Sequence, residues 1–299
     1  MNQQELDKII NGIREGEEYS RLLPKKINDA TLVPYLQSLV VKEKNIEVKE
    51  FLYTLLGIGA VSLNNTSIVE FLAEQLEHES NRYVLESLLQ CLNQQVSIKN
   101  STSLINFVRD KRSEIRHEAI LALGKCSPKE VEDILIEVIT SSNDQYDLVY
   151  ACASLRQIGT MKVIPYLTKL IYHDKDDVRC AAIYALNELG DVNHTPVFME
   201  ALTHRSANTK AYAMNALKRH GDERALTIVC EYVKKLVMRK RKVQMEPSPF
   251  VDAIKFLLKF SDSEEVREVL RFIQKKENNL LTSEKHWLYK KVLDKINLG

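Results

Sequence analysis

Along this chain apolar residues recur at i, i+3, i+4 and i+7 in one segment after another, the spacing of a helix with one buried face. Six leucines, Leu55, Leu89, Leu123, Leu155, Leu186 and Leu217, mark equivalent points of the pattern at intervals of 34, 34, 32, 31 and 31 residues. Four positions before them stand Phe51, Leu85, Ala119, Ala151, Ala182 and Ala213, and one position before them Thr54, Leu88, Ala122, Ser154, Ala185 and Ala216. Amphipathic helices repeating at this length predict a stack of helix pairs in which each pair buries its apolar face on its neighbours. The alanines predict close helix approach in the central repeats, and Phe51 and Leu85 looser packing in the first two.

Four positions after the leucines come Gly59, Asn93, Ser127, Gly159, Gly190 and Gly221, a column that predicts left-handed caps at helix C-termini. Asp191 and Asp222 follow two of them and suit the capping of the next helix. The first helices of the pairs are visible as LVPYLQSLV from Leu32 and VIPYLTKLI from Val163, with Pro34, Pro165 and Pro196 near helix starts. After Gly221 the period breaks. A long helix is predicted through residues 223 to 243, Pro247 and Pro249 punctuate, and the next leucine in register, Leu257, comes 40 residues after Leu217. The expected organisation is one continuous array over 1–299, with capping helices in 1–30, regular repeats over 31–222 and an irregular closing part over 223–299.

Composition adds little beyond order. Apolar residues at 44% and charged residues at 28% suit a packed chain with a solvated surface, and nine glycines and seven prolines leave little room for long loops. The net charge of +1 provides no global attraction to nucleic acid or anionic membranes. The start, MNQQELDKII, has no basic and then apolar signal, and nowhere do 18 apolar residues run together, so a cytoplasmic protein is expected. Five cysteines, Cys91, Cys126, Cys152, Cys180 and Cys230, show no paired spacing and predict buried reduced thiols, with no disulfide or zinc site.

The segments SEIRHEAILALGKCS from Ser113, DDVRCAAIYALNELGD from Asp176 and ANTKAYAMNALKRHGD from Ala207 resemble the HEAT repeat, in the short form named after phycobilisome lyases. The resemblance covers roughly residues 30 to 260. It implies an all-α, armadillo-like helical fold, a right-handed α-α superhelix built as a HEAT-like solenoid of stacked helix pairs. It also implies that an acid and an arginine near the start of each second helix tie successive repeats together. Arg82, Arg116 and Arg179 hold that column, with Glu114 and Asp177 as acids, whereas Val48, Leu148 and Lys210 depart from it.

Deoxyhypusine hydroxylases resemble this architecture and hold two irons with four His-Glu pairs at the starts of second helices. Here only His117-Glu118 stands at such a place, with His78-Glu79 in the preceding turn, so too few ligands converge for a di-iron site. His117 is expected to be a plain surface residue. No HExxH, GxSxG or phosphate-binding loop occurs, and Gly57 to Ser62 follows a helical pattern in place of a strand. Phycobilisome lyases share the repeat, but no residue marks a pigment site. Helical-repeat DNA glycosylases use a basic surface with tryptophans, and this chain has only Trp287. Hence no catalytic residue, cofactor or metal ligand is predicted, and the chain is not expected to be an enzyme.

The face opposite the buried stripe comprises Lys49, Tyr53, Leu56; Tyr83, Ser87, Gln90; His117, Leu121, Gly124; Val149, Ala153, Arg156; Cys180, Tyr184, Asn187; and Ala211, Asn215, Lys218. Three of these are basic and none is acidic, while Tyr150 and Tyr212 flank them. Exposed tyrosines and an apolar strip at Leu56, Leu121 and Val149 predict a groove for a protein or peptide, with Lys49, Arg156 and Lys218 favouring an acidic one. The expected function is a non-catalytic scaffold or adaptor. The alternative is a nucleic-acid-binding or base-repair protein using a basic patch of Lys234, Lys235, Arg239, Lys240, Arg241 and Lys242, six charges that could meet phosphates. A solvated helix extension is the preferred reading of that run.

Overall fold

The computed structural model describes residues 2–238, 240 and 248–290. Among the described residues there are helices and no strands. The chain divides into two compact units, Met1–Thr160 and Met161–Gly299.

The first unit begins with α1 (Gln3–Arg14), held at its start by a reciprocal Asn2–Glu5 capping box. A turn at Gly16, φ +93°, ends it. Four helix pairs follow: α2 (Leu32–Lys42) with α3 (Ile46–Ser62), α4 (Thr66–Gln75) with α5 (Arg82–Asn93), α6 (Thr102–Phe107) with α7 (Ser113–Leu123), and α8 (Pro128–Ser141) with α9 (Gln145–Ile158). The second members stack as one layer, α3 on α5, α5 on α7 and α7 on α9, and each first member lies against its own partner. Side chains of Asn45, Asn65, Asn81 and Asp144 accept amide hydrogens of the helices they precede, so the helix starts are encoded locally.

The second unit repeats the scheme with α10 (Ile164–Leu170), α11 (Asp176–Leu189), α12 (Thr195–Leu202), α13 (Ala207–His220), α14 (Leu226–Val237) and α15 (Pro249–Leu257). Here α11 packs on α13 and α13 on α15. Two further helices, α16 (Glu264–Lys275) and α17 (Thr282–Leu288), follow, and α16 lies against α14. The helix expected to reach residue 243 ends at Val237.

The leucine column is the core of both units. Leu55, Leu89, Leu123, Leu155, Leu186 and Leu217 are all fully buried, and so is Leu257 on α15. The alanines beside them are equally enclosed, as close helix approach requires. The cap column departs from expectation. Gly159, Gly190 and Gly221 do end α9, α11 and α13, but with φ of −62°, −82° and −66°, outside the left-handed region. At Gly190 and Gly221 glycine is needed for space: a Cβ would lie 2.7 Å from the Leu186 carbonyl oxygen at the first, and 2.6 Å from the Leu217 carbonyl oxygen and 2.8 Å from the Phe256 ring at the second. Asp191 and Asp222 then cap 3-10 turns that lead into α12 and α14. The left-handed cap of α3 is Asn64, φ +49°, and the Gly57–Ser62 stretch lies inside that helix.

All five cysteines are buried and unpaired. Burial pushes each thiol up to about 12 from its ordinary 9.0. The folded value lies above the unfolded one, so this contribution to stability is complete below about pH 9 and is lost as pH rises toward 12. Two outcomes are expected. Alkaline titration followed by circular dichroism should show stability falling only above about pH 9, and native protein should resist thiol reagents at neutral pH until it is unfolded. Separately, Leu123→Ala should cost about 2–5 kcal/mol in urea unfolding, since it leaves a cavity where α7 meets its neighbours.

Candidate functional site

Near the starts of the second helices the stacking brings charged side chains of successive pairs into contact. In the first unit, Glu79 takes both the Lys49 ammonium and the Tyr53 hydroxyl, the latter at 2.8 Å. Burial and this bond push the Tyr53 phenol far above its usual range. Arg82 reaches Glu114 at 3.0 Å across an exposed gap. Arg116 makes the densest contact: its Nε donates to both oxygens of buried Asp147 at 2.8 and 2.9 Å, and its Nη2 to Asp144 at 2.8 Å.

His117 joins this cluster and is not the plain surface residue expected from sequence. Its Nε2 lies 3.1 Å from Asp147 and 3.5 Å from Asp144, and its ring packs 5.0 Å from Tyr150 and 6.0 Å from Tyr146. One imidazole and two carboxylates within 4.8 Å of one another could hold a metal ion. However, the Arg116 guanidinium already occupies both carboxylates, and a cation placed there would face it at close range. The neighbouring Glu118 points elsewhere, bonded by Asn93, and burial raises its carboxyl above the usual range.

In the second unit the equivalent links are built from amides as well as charges. Asn187 donates to Asn215 at 3.0 Å, Asn215 to buried Asp252 at 2.7 Å, and Lys218 to the other Asp252 oxygen at 2.8 Å. Buried Arg179 bonds Thr209 at 3.1 Å, the His173 and Asp174 carbonyls, and Asp176 at 2.8 Å. Asp176, and not the expected Asp177, is therefore its acid.

These contacts decide where the residues read from sequence stand. Tyr53 and Leu56 are fully enclosed and Asn187 is buried, so they offer no contact surface. Lys49 and Lys218 are neutralised by Glu79 and Asp252, which removes their reason to favour an acidic partner. Tyr83 and Tyr184 are exposed, by 58% and 42%, and Gln90 is exposed beside the first. His117, Tyr150, Arg156, Tyr212 and Asn215 are half-buried, with the Tyr184 and Tyr212 rings 6.0 Å apart, edge to face. Of the basic run, Lys235 is exposed near Glu231, Lys234 half-exposed and Lys240 exposed, while Arg239, Arg241 and Lys242 lie outside the described residues.

Sequence reasoning missed the acids on the first unit's surface. A cleft of about 740 Å³ opens between α3, α5 and residues 16–23, and Glu47, Glu50 and Glu86 line it together with Tyr19 and Tyr83. On α3 the exposed face differs from the expected one: Tyr53 is enclosed while Thr54 is half-buried, and Thr54 and Glu50 line the cleft whereas Lys49, equally half-buried, is bonded to Glu79. The cause is visible in that helix, which is apolar over most of its circumference and packs on α1, α2, α4 and α5. The i+3 run of acids from Glu47 to Glu50 was the available signal.

The profile of HEAT repeats matches this chain at residues 101–187, 132–204 and 167–239. Residues 101–239 carry HEAT repeats. The fold agrees with the Escherichia coli protein YibA, 17% identical, TM-score 0.53, covering 90% of this chain and 99% of that one. It agrees also with an engineered protein, 17% identical, TM-score 0.50, covering 93% of this chain and 82% of that one. The complex of CpcE and CpcF of phycocyanin lyase from Nostoc sp. is 18% identical with a TM-score of 0.47, covering 85% of this chain and 98% of that one. No curated protein sequence matches this chain. Among its described residues the chain is all-α and of the HEAT-like solenoid class, and none of these helices is long and apolar enough to cross a membrane.

The Arg116 cluster generates a test of repeat coupling. Arg116→Ala should lower unfolding free energy by about 3–5 kcal/mol by stranding buried Asp147. Arg116→Lys should recover less than half of that loss in urea denaturation, because an ammonium cannot span two carboxylates as the planar guanidinium does.

Proposed function

We propose that this HEAT-repeat chain is a non-catalytic scaffold or adaptor that binds a protein or peptide partner on the outward face of its second helices. The observation that carries the reading is the exposure of Tyr83 and Tyr184, large rings left on the surface of helices whose other apolar residues are enclosed. Tyrosine supplies a broad apolar contact with a polar tip at little entropic cost, and such rings recur at the centres of protein interfaces. Stacked helix pairs supply an extended surface on which such anchors can be presented. In the first unit Gln90 would add an adaptable amide on the helix of Tyr83, and in the second half-buried Tyr212 flanks Tyr184.

The reading is tested by affinity capture from the native host with wild-type protein and with Tyr83→Glu combined with Tyr184→Glu. A protein recovered with the wild type should be lost with the double variant. Its equal recovery with both would overturn the assignment of this face.

A further inference from the structure

In the first unit most acids near the second helices already have a cation. Glu43 has Arg14, Glu79 has Lys49, Glu114 has Arg82, and Asp147 has Arg116. The cleft between α3, α5 and residues 16–23 breaks this rule. Glu17, Glu18, Glu47, Glu50 and Glu86 all line it, and among the described residues none of them forms an ion pair. Their hydrogen bonds are to neutral groups only: Tyr19 to Glu50 at 3.5 Å, Ser20 to Glu18 at 2.7 Å and Gln90 to Glu86 at 3.5 Å.

The cleft also has a shaped apolar wall. The Gly16 turn lays Tyr19 against Phe51 of α3, with ring centroids 5.6 Å apart, and exposed Tyr83 lines the cleft from α5, its ring already 5.7 Å from the Arg82 guanidinium and so placed to accept a second cation. Negative charge flanked by aromatic rings suits a guanidinium or ammonium group on an apolar stem, which can lie along the rings while its head meets a carboxylate.

We propose that this cleft receives a lysine- or arginine-rich segment of a partner protein. The proposal rests on the reading of the chain as a scaffold and names the partner's chemistry at one part of that face. Charge complementarity is its basis: five glutamates line the cleft without forming an ion pair among the described residues, Glu47 and Glu86 repel the charge on Glu50, and a basic segment relieves that repulsion while an acidic one adds to it. The repulsion already shows within the chain. The Glu50 carboxyl is held above its usual range by burial, and Glu47 and Glu86 add to the shift against the Tyr19 bond.

The test is fluorescence anisotropy on the full chain with a short labelled arginine-rich peptide and a glutamate-rich one of the same length. Tight binding of the basic peptide that weakens with salt is expected, with the acidic peptide bound at least about tenfold more weakly. Glu47→Gln with Glu50→Gln and Glu86→Gln should weaken the basic peptide by about tenfold or more, and Tyr83→Ala by about threefold or more. Glu70→Gln with Glu74→Gln and Glu137→Gln, an equal charge change on first helices, should alter it by less than about twofold. Equal losses in the two triple variants, or stronger binding of the acidic peptide, would overturn the cleft assignment. So would a failure of both peptides to bind. In each of these cases the scaffold reading survives if capture of a partner still depends on Tyr83 and Tyr184, and falls only if it does not.

Discussion

A helix pair of this kind cannot bury its own apolar stripe, and that constraint governs everything else in the structure. The stripe of one second helix is closed only when the next second helix lies against it, as α5 does on α3 and α13 on α11. Leu89 and Leu217 are shielded on those terms, with alanines beside the later leucines letting the backbones come close. Hydrophobic burial therefore sets the spacing of the helices, and the polar groups at their starts must adapt to it.

The adaptation is a set of short bridges whose acceptors lie within or at the edge of the packed layer. Asp147 and Asp252 are nearly inaccessible to water, and such carboxylates are tolerable only when fully bonded. Arg116 with Ser142 satisfies the first, and Asn215 with Lys218 the second. Where the layer ends against the Gly16 turn, no such partners are supplied, and the acids face solvent beside two tyrosines. Internal order and an outward-facing charge thus arise from the same rule, applied where a neighbouring cation is present and where it is missing.

The fold was legible because its signal is periodic: one leucine per pair, with small residues at fixed offsets, survives any uncertainty about a single helix. The surface was only partly legible. On α5 the chemistry alternates clearly, and Tyr83, Ser87 and Gln90 stand where the spacing puts them. On α3 nearly every position is apolar, so the choice of face depends on which neighbours close around it, and Tyr53 is enclosed where Thr54 is half-buried. Pairing across helices was the other hidden quantity. Lys49, Lys218 and His117 read as available groups, yet their acids Glu79, Asp252 and Asp147 come from about 30 residues further along the chain. Of the glycine column, Gly159, Gly190 and Gly221 close their helices while Gly59 lies inside α3, and Gly190 and Gly221 answer to crowding and keep a negative φ.

Four of the bridges share a direction. Lys49, Arg82, Arg116 and Lys218 each find their carboxylate in the helix pair that follows, never in the one before. Arg219 and Lys99 run the other way, to Glu188 and Glu70 of the pairs before them, so the polar contacts differ in chemistry and in direction from junction to junction. Units that look alike in their leucines are not interchangeable parts. Displacing a pair that borders Asp147 or Asp252 would keep the apolar stack continuous yet strand a buried carboxylate, so at those joints the order of the repeats is preserved by their polar edges while their cores remain nearly the same.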